Sequence, residues 1–536
     1  MATINYCDWD TGDDSTGDGS SGNPYKTIQK ASTGVTGGDE VRVGKSPADT
    51  ALTGTLGFTR KSTAVTGVGT AFTTELAVGD FVKGGDDEYY EVLTLTSDTA
   101  LVLWKNYIHA TESGVTSAKL GVIDTGEASS TSTLIQSVES SGTSDASRLK
   151  ISGGWDLATE TQDGQSYFRQ IHSTITRRYG RGLTIQSKSF LELERLHFTR
   201  NDNCIYMSAS DDNKLTGMKL LSGNDENLYA TNCDRNEFIS MVLMHSQDKG
   251  LYLLSGSKEN IITDLLAGGC TYGVYTHSSV INQFIDPVCL CNIYGFQIST
   301  DSSNNRFIRP NCDYNTYGMF VSGSAEQYIE EPLFENNTVG AYIDDSLNQV
   351  VVSPTVNNNS NTGFIVTSSM GTIINNFAGT GNPRDLAVYA GQSFSEHPMI
   401  RAQHFKTTGD NRCYYEYGIT YRDTTDARST QCLKFDPTSD TYYIMQSFFF
   451  KADSGVAQTL SAYIKDDASF NGDVQAGIFF MGAKITGWTE WATTTSYAQK
   501  SIVADAGDIT EDGVLELRVK VRGTAGNAFI DDLNAV

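Results

Sequence analysis

Nine times between Gly182 and Gly363 the chain returns to one short pattern, anchored at positions 182, 204, 227, 250, 273, 295, 318, 340 and 363, at intervals of 22 or 23 residues. A fixed period of that size, filled with strand-like alternation and no helical stripe, predicts a solenoid in which each repeat is one coil stacked on the last. With the anchor as position 0, positions +1 and +3 are apolar in nearly every coil, as in Ile205 and Met207, Leu251 and Leu253, Phe296 and Ile298. Strand side chains alternate between faces, so these columns line the interior and positions 0, +2 and +4 are expected outside. A second strand-like patch follows in each repeat (Phe238-Ile239, Ile261-Ile262, Phe284-Ile285, Phe307-Ile308), with proline just beyond it at Pro287, Pro310, Pro332 and Pro354, placed to shape a corner. The −3 column carries Asn201, Asn224, Asn292, Asn315 and Asn337, with Gln247 and Ser360 as substitutes and Cys270 as an exception. Amides stacked in this way can bond the coils above and below, so the column reads as structural.

The chain has 536 residues, enough for several domains without disulfide staples. Its nine cysteines form no CxxC pair, the N-terminus has no basic and apolar leader, and no run of 18 apolar residues occurs. These features predict folding in a reducing cytoplasm, with no membrane insertion. With 39 Lys plus Arg against 64 Asp plus Glu, the formal charge is −25, which argues against nucleic acid as a partner. No phosphate-binding loop, HExxH or nucleophile elbow is present.

Three further stretches complete the expected all-β architecture. Asp18 to Ala31, including Gly22-Asn23-Pro24-Tyr25-Lys26-Thr27-Ile28-Gln29, resembles the end cap of pectate-lyase-like right-handed parallel β-helices; Gly38–Val43 and Leu149–Asp156 then resemble first-coil strands. Between them, Val65–Val82, Glu91–Thr96 and Leu101–Leu103 read as closely spaced antiparallel strands, and this run resembles small β modules of bacteriophage tail fibres and tail spikes. Beyond the Gly379-Thr380-Gly381-Asn382-Pro383 linker, long strands such as Val514–Val521 alternate apolar and charged residues and predict an antiparallel β-sandwich. Its last stretch, Asn527–Leu533, resembles the terminal strand of jelly-roll carbohydrate-binding modules. That resemblance implies a structural calcium near Asp531-Asp532, and no other cofactor is expected. The expected division is a cap and first coil at 1–47, an inserted module at 48–147, a right-handed parallel β-helix at 148–385 and a jelly roll at 386–536.

The +2 column reads Tyr206, Tyr229, Tyr252, Tyr275, Gln297, Phe320 and Tyr342. Flat rings about 4.8 Å apart suit the apolar faces of sugars, and they suit a subunit interface equally; both readings stand. His277, at +4 beside Tyr275, is a candidate base. At −2, Asp202, Asp225 and Asp248 follow on successive coils, where neighbours stand about 4.8 Å apart and alternate ones about 9.6 Å, spacings that serve retaining or inverting glycosidases. The competing reading is three turn aspartates accepting backbone N–H groups, and the column also suits a cation. No dedicated metal ligands are expected. Trp488 and Trp491 are candidate sugar platforms, or core or interface residues.

The combined resemblance to a bacteriophage tail spike or tail fibre implies a homotrimer assembled in the host cytoplasm and carried on the virion tail. Its implied partners are host cell-surface polysaccharide and other virion tail proteins. With the cap starting so early, attachment is expected through the leader, the module or an adaptor. Whether such a protein only binds glycan or depolymerises it, as a hydrolase or a lyase, stays open. The alternative is a cellular pectate-lyase-like lyase or hydrolase not attached to a virion.

Overall fold

Glu40–Gly44 and Leu149–Asp156 lie side by side in one parallel ladder, Val41 opposite Ile151, although residues 45–148 separate them in sequence. A coil is therefore begun, interrupted and resumed. The computed structural model describes residues 2–127, 136–171, 180–367, 369, 372–375, 378–389, 401–403, 412–415, 418–423, 432–437, 439–452, 455–480, 483–509 and 513–535. The chain forms two units, 1–320 and 321–536.

In the first unit the coils build the expected right-handed parallel β-helix from three parallel sheets. The first sheet stacks Leu191–Glu194, Lys214–Thr216, Glu237–Ile239, Ile261–Thr263, Gln283–Ile285 and Arg306–Ile308. The second stacks Ser166–Ile171, Leu196–Thr199, Lys219–Leu221, Val242–Met244, Leu266–Gly268 and Val288–Leu290. The third carries the longer strands described below. Inward columns from the three sheets, such as Leu215, Phe238, Ile262, Phe284 and Phe307 on the first, are at most 1 % exposed and form one apolar core. Phe284 and Phe307 stack at 4.8 Å.

Between the first and second sheets the coils from Lys214–Thr216 to Arg306–Ile308 turn through two residues, one of them left-handed: Gly217, Ser240, Asp264, Asp286 and Arg309 have φ of 61°, 50°, 52°, 52° and 49°. Only sharp reversal allows so short a link, and the strain of about 1 kcal/mol or more per non-glycine residue is held by the ladders on both sides.

A buried amide ladder runs up the corner before the first sheet. Asn213, Asn236, Asn260, Asn282 and Asn305 are fully buried. Each backbone N–H from Asn213 to Asn282 donates to the side-chain oxygen one coil on, at 2.9, 2.9, 3.1 and 2.9 Å. The −3 column does similar work only in part: the Cys270 and Asn292 N–H groups donate to Asn292 and Asn315 Oδ1, at 2.9 and 2.8 Å. Asn224 is half-exposed and Gln247 exposed, so at these coils the ladder expected from the column is interrupted. There Asn227 takes over, accepting from the Gly223 N–H at 3.0 Å.

The cap helix Ile28–Ala31 starts at Thr27, whose Oγ1 accepts from the Lys30 N–H at 3.1 Å, and buries Ile28 and Ala31. The interrupting segment forms an eight-stranded antiparallel sheet from Thr50–Ala51 to Ala118–Lys119. Its core of Leu56, Phe58, Tyr90, Tyr107 and Ile108 is continuous with Tyr167, Leu221 and Met244, so the module covers the outer face of the second sheet. Ion pairs Lys219–Glu88 (2.7 Å) and Arg169–Asp80 (2.8 Å) rim that contact. Strands Ile123–Glu127 and Gln136–Ser137 already pair with coil strands.

In the second unit, parallel coil strands such as Val339–Asp344 and Thr362–Thr367 precede the antiparallel sandwich. One sandwich sheet includes Gln458–Asp466, Ala498–Ala504 and Ala528–Ala535; the other pairs Ser439–Ala452, Gly513–Gly523 and Asp473–Phe480. Leu515, Leu517, Val519 and Val521 are fully buried between them, as their alternation requires. Trp491, a candidate platform, is 3 % exposed and belongs to this core. Trp488 packs over Gly477, with Lys520 Nζ 4.1 Å from its ring. The side chains of Asp531 and Asp532, the calcium candidates, lie outside the described residues. Among the described residues no helix is long and apolar enough to cross a membrane.

Candidate functional site

The third sheet of the first unit is built from six-residue strands, Arg181–Gln186, Asn203–Ser208, Glu226–Thr231, Lys249–Leu254, Tyr272–His277 and Tyr294–Ser299. In each pairing the −1 residues face each other, position 0 is skipped, and pairing resumes at +1. That break in alternation puts 0 and +1 both inside and turns −1 outward. The expectation that position 0 faces out is therefore corrected: Cys204 and Asn227 are fully buried, and a Cβ on Gly250 would stand 2.5 Å from the Gly273 carbonyl oxygen.

Tyr206, Tyr229, Tyr252 and Tyr275 stand half-buried on the outer face at +2. Successive ring centroids are 5.1, 5.4 and 5.1 Å apart, the outer pairs stacked and the middle pair edge-on. His277 lies on the same face, its Nδ1 3.1 Å from Ser299 Oγ and its ring 6.3 Å from Tyr275. Gln297 interrupts the column. Phe320 is edge-on to Tyr294 and Tyr317 at 5.7 and 5.8 Å. Tyr342 belongs to Val339–Asp344 in the second unit, where it accepts from Thr367 Oγ1 at 3.4 Å.

The outward −1 column is the part that alternation hid. It reads Arg181, Asn203, Glu226, Lys249, Tyr272, Tyr294 and Tyr317. Tyr272 stacks on Tyr275 (5.2 Å) and on Tyr294 (5.1 Å), and Tyr294 stacks on Tyr317 (5.1 Å). The aromatic strip thus shifts from the +2 to the −1 column at coil 272–277 and runs unbroken from Tyr206 to Tyr317. Five coil steps make it about 24 Å long.

Beside the first half of this strip lie the acids. The backbones of Asp202, Asp225 and Asp248 are vertical neighbours: the Asp225 N–H donates to the Asp202 carbonyl (3.0 Å) and the Asp248 N–H to that of Asp225 (3.3 Å). Asp225 is exposed, while Asp202 and Asp248 are half-buried. Carboxylate oxygens of Asp225, Glu226 and Asp248 lie within 4.8 Å of one another. Glu226, which sequence reasoning missed, is only 3 % exposed. Burial and the neighbouring charge of Asp225 push its pKa up to about 8, despite Lys249. Burial also raises the pKa of Asp202 more than the Asn224 hydrogen bond (3.1 Å) lowers it, and the charge of Asp225 adds to the rise.

Asn203 Nδ2 donates to Glu226 Oε2 at 2.6 Å. Lys249 Nζ donates to Glu226 Oε1 at 3.1 Å and to Asp248 Oδ2 at 2.5 Å. Although burial favours the neutral amine, those two acceptors hold the Lys249 pKa above its ordinary value. Three clustered carboxylates are a donor set for a hard divalent cation. Here the ammonium of Lys249 supplies positive charge to the same oxygens, so the cluster holds a counter-ion of its own. Lys249 also sits 4.6 Å from the Tyr252 ring centre, and the Arg181 guanidinium 3.3 Å from that of Tyr206. The sequence signal that could have found Glu226 and Lys249 was their place one residue after each aspartate.

No family model and no curated relative matches the chain. Among solved structures it is similar to the A-module of a mannuronan C-5 epimerase from Azotobacter vinelandii, at 9 % identity over 55 % of this chain and 87 % of that one, with a TM-score of 0.44. A pectate lyase (10 % identity, 76 % and 77 % covered, TM-score 0.38) and tailspike protein 4 of bacteriophage CBA120 (10 % identity, 77 % and 63 % covered, TM-score 0.28) are also similar.

Proposed function

We propose that this chain is a tail-spike-like protein that binds a surface polysaccharide along the strip from Tyr206 to Tyr317 and cleaves it at the acids beside it. The observation that supports this reading is the adjacency: stacked outward rings run past an exposed carboxylate that shares its surroundings with a buried, proton-holding one. Sugar rings stack on such a floor, and a bond between two of them is thereby held over Asp225.

In the proposed chemistry the proton held by buried Glu226 passes through its exposed neighbour Asp225 to the leaving oxygen. Asp248, whose Oδ2 accepts from Lys249 Nζ, faces the anomeric carbon. A separation near 5 Å is that of retaining glycosidases, where the second carboxylate acts as nucleophile. Asp202 orients the sugar one coil away, and His277 lines the strip. Phe320 extends that strip.

Mounting on a virion tail, trimer formation and contact with other tail proteins belong to the same proposal. They rest on the resemblance of the 60–110 segment and of the cap. Incubation with bacterial capsule or lipopolysaccharide should release new reducing ends and no unsaturated sugars. Asp225→Asn and Asp248→Asn should each lower the rate by about 100-fold or more while leaving glycan binding in place. Unsaturated products, or cleavage that survives loss of all three aspartates, would overturn the hydrolytic assignment.

A further inference from the structure

The third-sheet strip is not chemically uniform along its length. Over the first coils the columns flanking the rings are charged: Asp202, Asp225 and Asp248 at −2, and Arg181, Glu226 and Lys249 at −1. From coil 272 onward the −2 column becomes Thr271, Ile293 and Thr316, and the −1 column becomes Tyr272, Tyr294 and Tyr317. Ile293 is 48 % exposed beside Tyr294. One half is therefore charged, and the other is an aromatic floor without Lys, Arg, Asp or Glu, with His277 at its edge.

The cations of the charged half are already engaged. Lys249 is bonded to Glu226 and Asp248, and Arg181 lies flat on Tyr206. On the outward −2, −1, +2 and +4 columns from 180 to 320, Arg181 and Lys249 are the described Lys and Arg residues, against four carboxyls, Asp202, Asp225, Glu226 and Asp248. A uronate or sialate carboxylate laid on this strip would meet an acidic surface and, in the distal half, neither Lys nor Arg, only His277 at its edge, whose Nδ1 already stands 3.1 Å from Ser299 Oγ. Burying it there costs the hydration of an ion without return. An uncharged pyranose loses only weakly held water from its apolar face and gains stacking.

We infer that the Tyr272, Tyr294 and Tyr317 floor, with Tyr275 and Phe320, is a distal subsite for uncharged sugar residues, and that the strip as a whole selects neutral over uronate- or sialate-bearing polysaccharide. The inference rests on the proposed glycan reading and assigns its substrate class. An array of bacterial surface polysaccharides of known composition, probed with the intact protein, should give hits confined to neutral repeats. On such a hit Tyr294→Ala should weaken binding about tenfold, the equivalent of one lost stacking contact, while Tyr294→Phe stays close to the unmodified chain. Hits that carry uronate or sialate would overturn the inference and leave the glycan reading standing, and so would a neutral hit unaffected by Tyr294→Ala. If Tyr294→Ala changed the sedimentation mass while binding held, the rings would belong to a contact between copies of the chain, and the inference would fall. Retention of no polysaccharide at all would remove the glycan reading and this inference together.

Discussion

Single side chains in this molecule act mainly on the coil above or below their own. Asn260 accepts from the Asn236 backbone N–H (2.9 Å) and side chain (3.0 Å), and donates to the Cys233 carbonyl and Asn282 Oδ1, both at 2.9 Å. Asn260→Ala would strand these buried partners. Thermal or denaturant unfolding of the first unit should show a loss of about 2–4 kcal/mol. Glu226 makes a different prediction. Its folded pKa, about 8, lies above its ordinary value of 4.5, so folding takes up a proton between those limits. Below the ordinary value both states are protonated and the shift contributes nothing; as pH rises toward 8 it becomes a growing cost, so stability falls. Melting temperatures at about pH 5 and about pH 8 should therefore diverge for the native chain more than for Glu226→Gln. Equal divergence would mean that Glu226 titrates normally in the folded protein.

For the strand stack the limiting feature is the run of glycines at position 0 from Gly250 to Gly318. A Cβ at Gly273 would lie 2.7 Å from the Gly295 carbonyl oxygen, and one at Gly295 would lie 2.4 Å from that of Gly318. Coil spacing is set by backbone hydrogen bonds and cannot widen locally, so Gly273→Val should cost about 3 kcal/mol or leave little soluble protein. Gly22→Ala is the control, since a methyl there meets open space. Circular dichroism melts of the two variants would separate crowding from a general intolerance of added side chains. With 0 and +1 both pointing inward, the strand turns −1 to the outer face, and this brings Tyr272, Tyr294 and Tyr317 onto that face.

At the scale of the whole molecule, a charge of −25 sets the long-range field. An uncharged ligand held by stacking does not feel it. Affinity for a neutral hit should therefore change by less than about twofold between about 0.05 and 0.5 M NaCl, a range over which the screening length falls severalfold. Calorimetric titration at the two salt concentrations checks this, and strengthening with salt would reveal an anionic ligand overcoming repulsion. The module contributes at this scale too. By covering the second sheet with Leu56, Phe58 and Tyr107 it leaves the third sheet of the first unit as the aromatic face.

The 22–23-residue period, the apolar +1 and +3 columns and the outward tyrosines at 206, 229, 252 and 275 were legible in the sequence, because stacking coils converts a repeat directly into neighbours. The alternating strand at Val514–Val521 was legible for the same reason, since a period of two names the buried face. Four matters were decided only by tertiary structure. The register break at position 0 lies in how strands pair across coils and occurs at Cys204 and Asn227 as well as at the glycines, so no single strand encodes it. The buried Asn213 to Asn305 ladder looks, in one dimension, like scattered turn asparagines. Leu221 and Met244 lie on the second sheet, and the docked module is what buries them. Glu226 and Lys249 become a charged pair beside the acids only after the strands lie side by side, because their meeting depends on a distance between coils and not on a pattern within one.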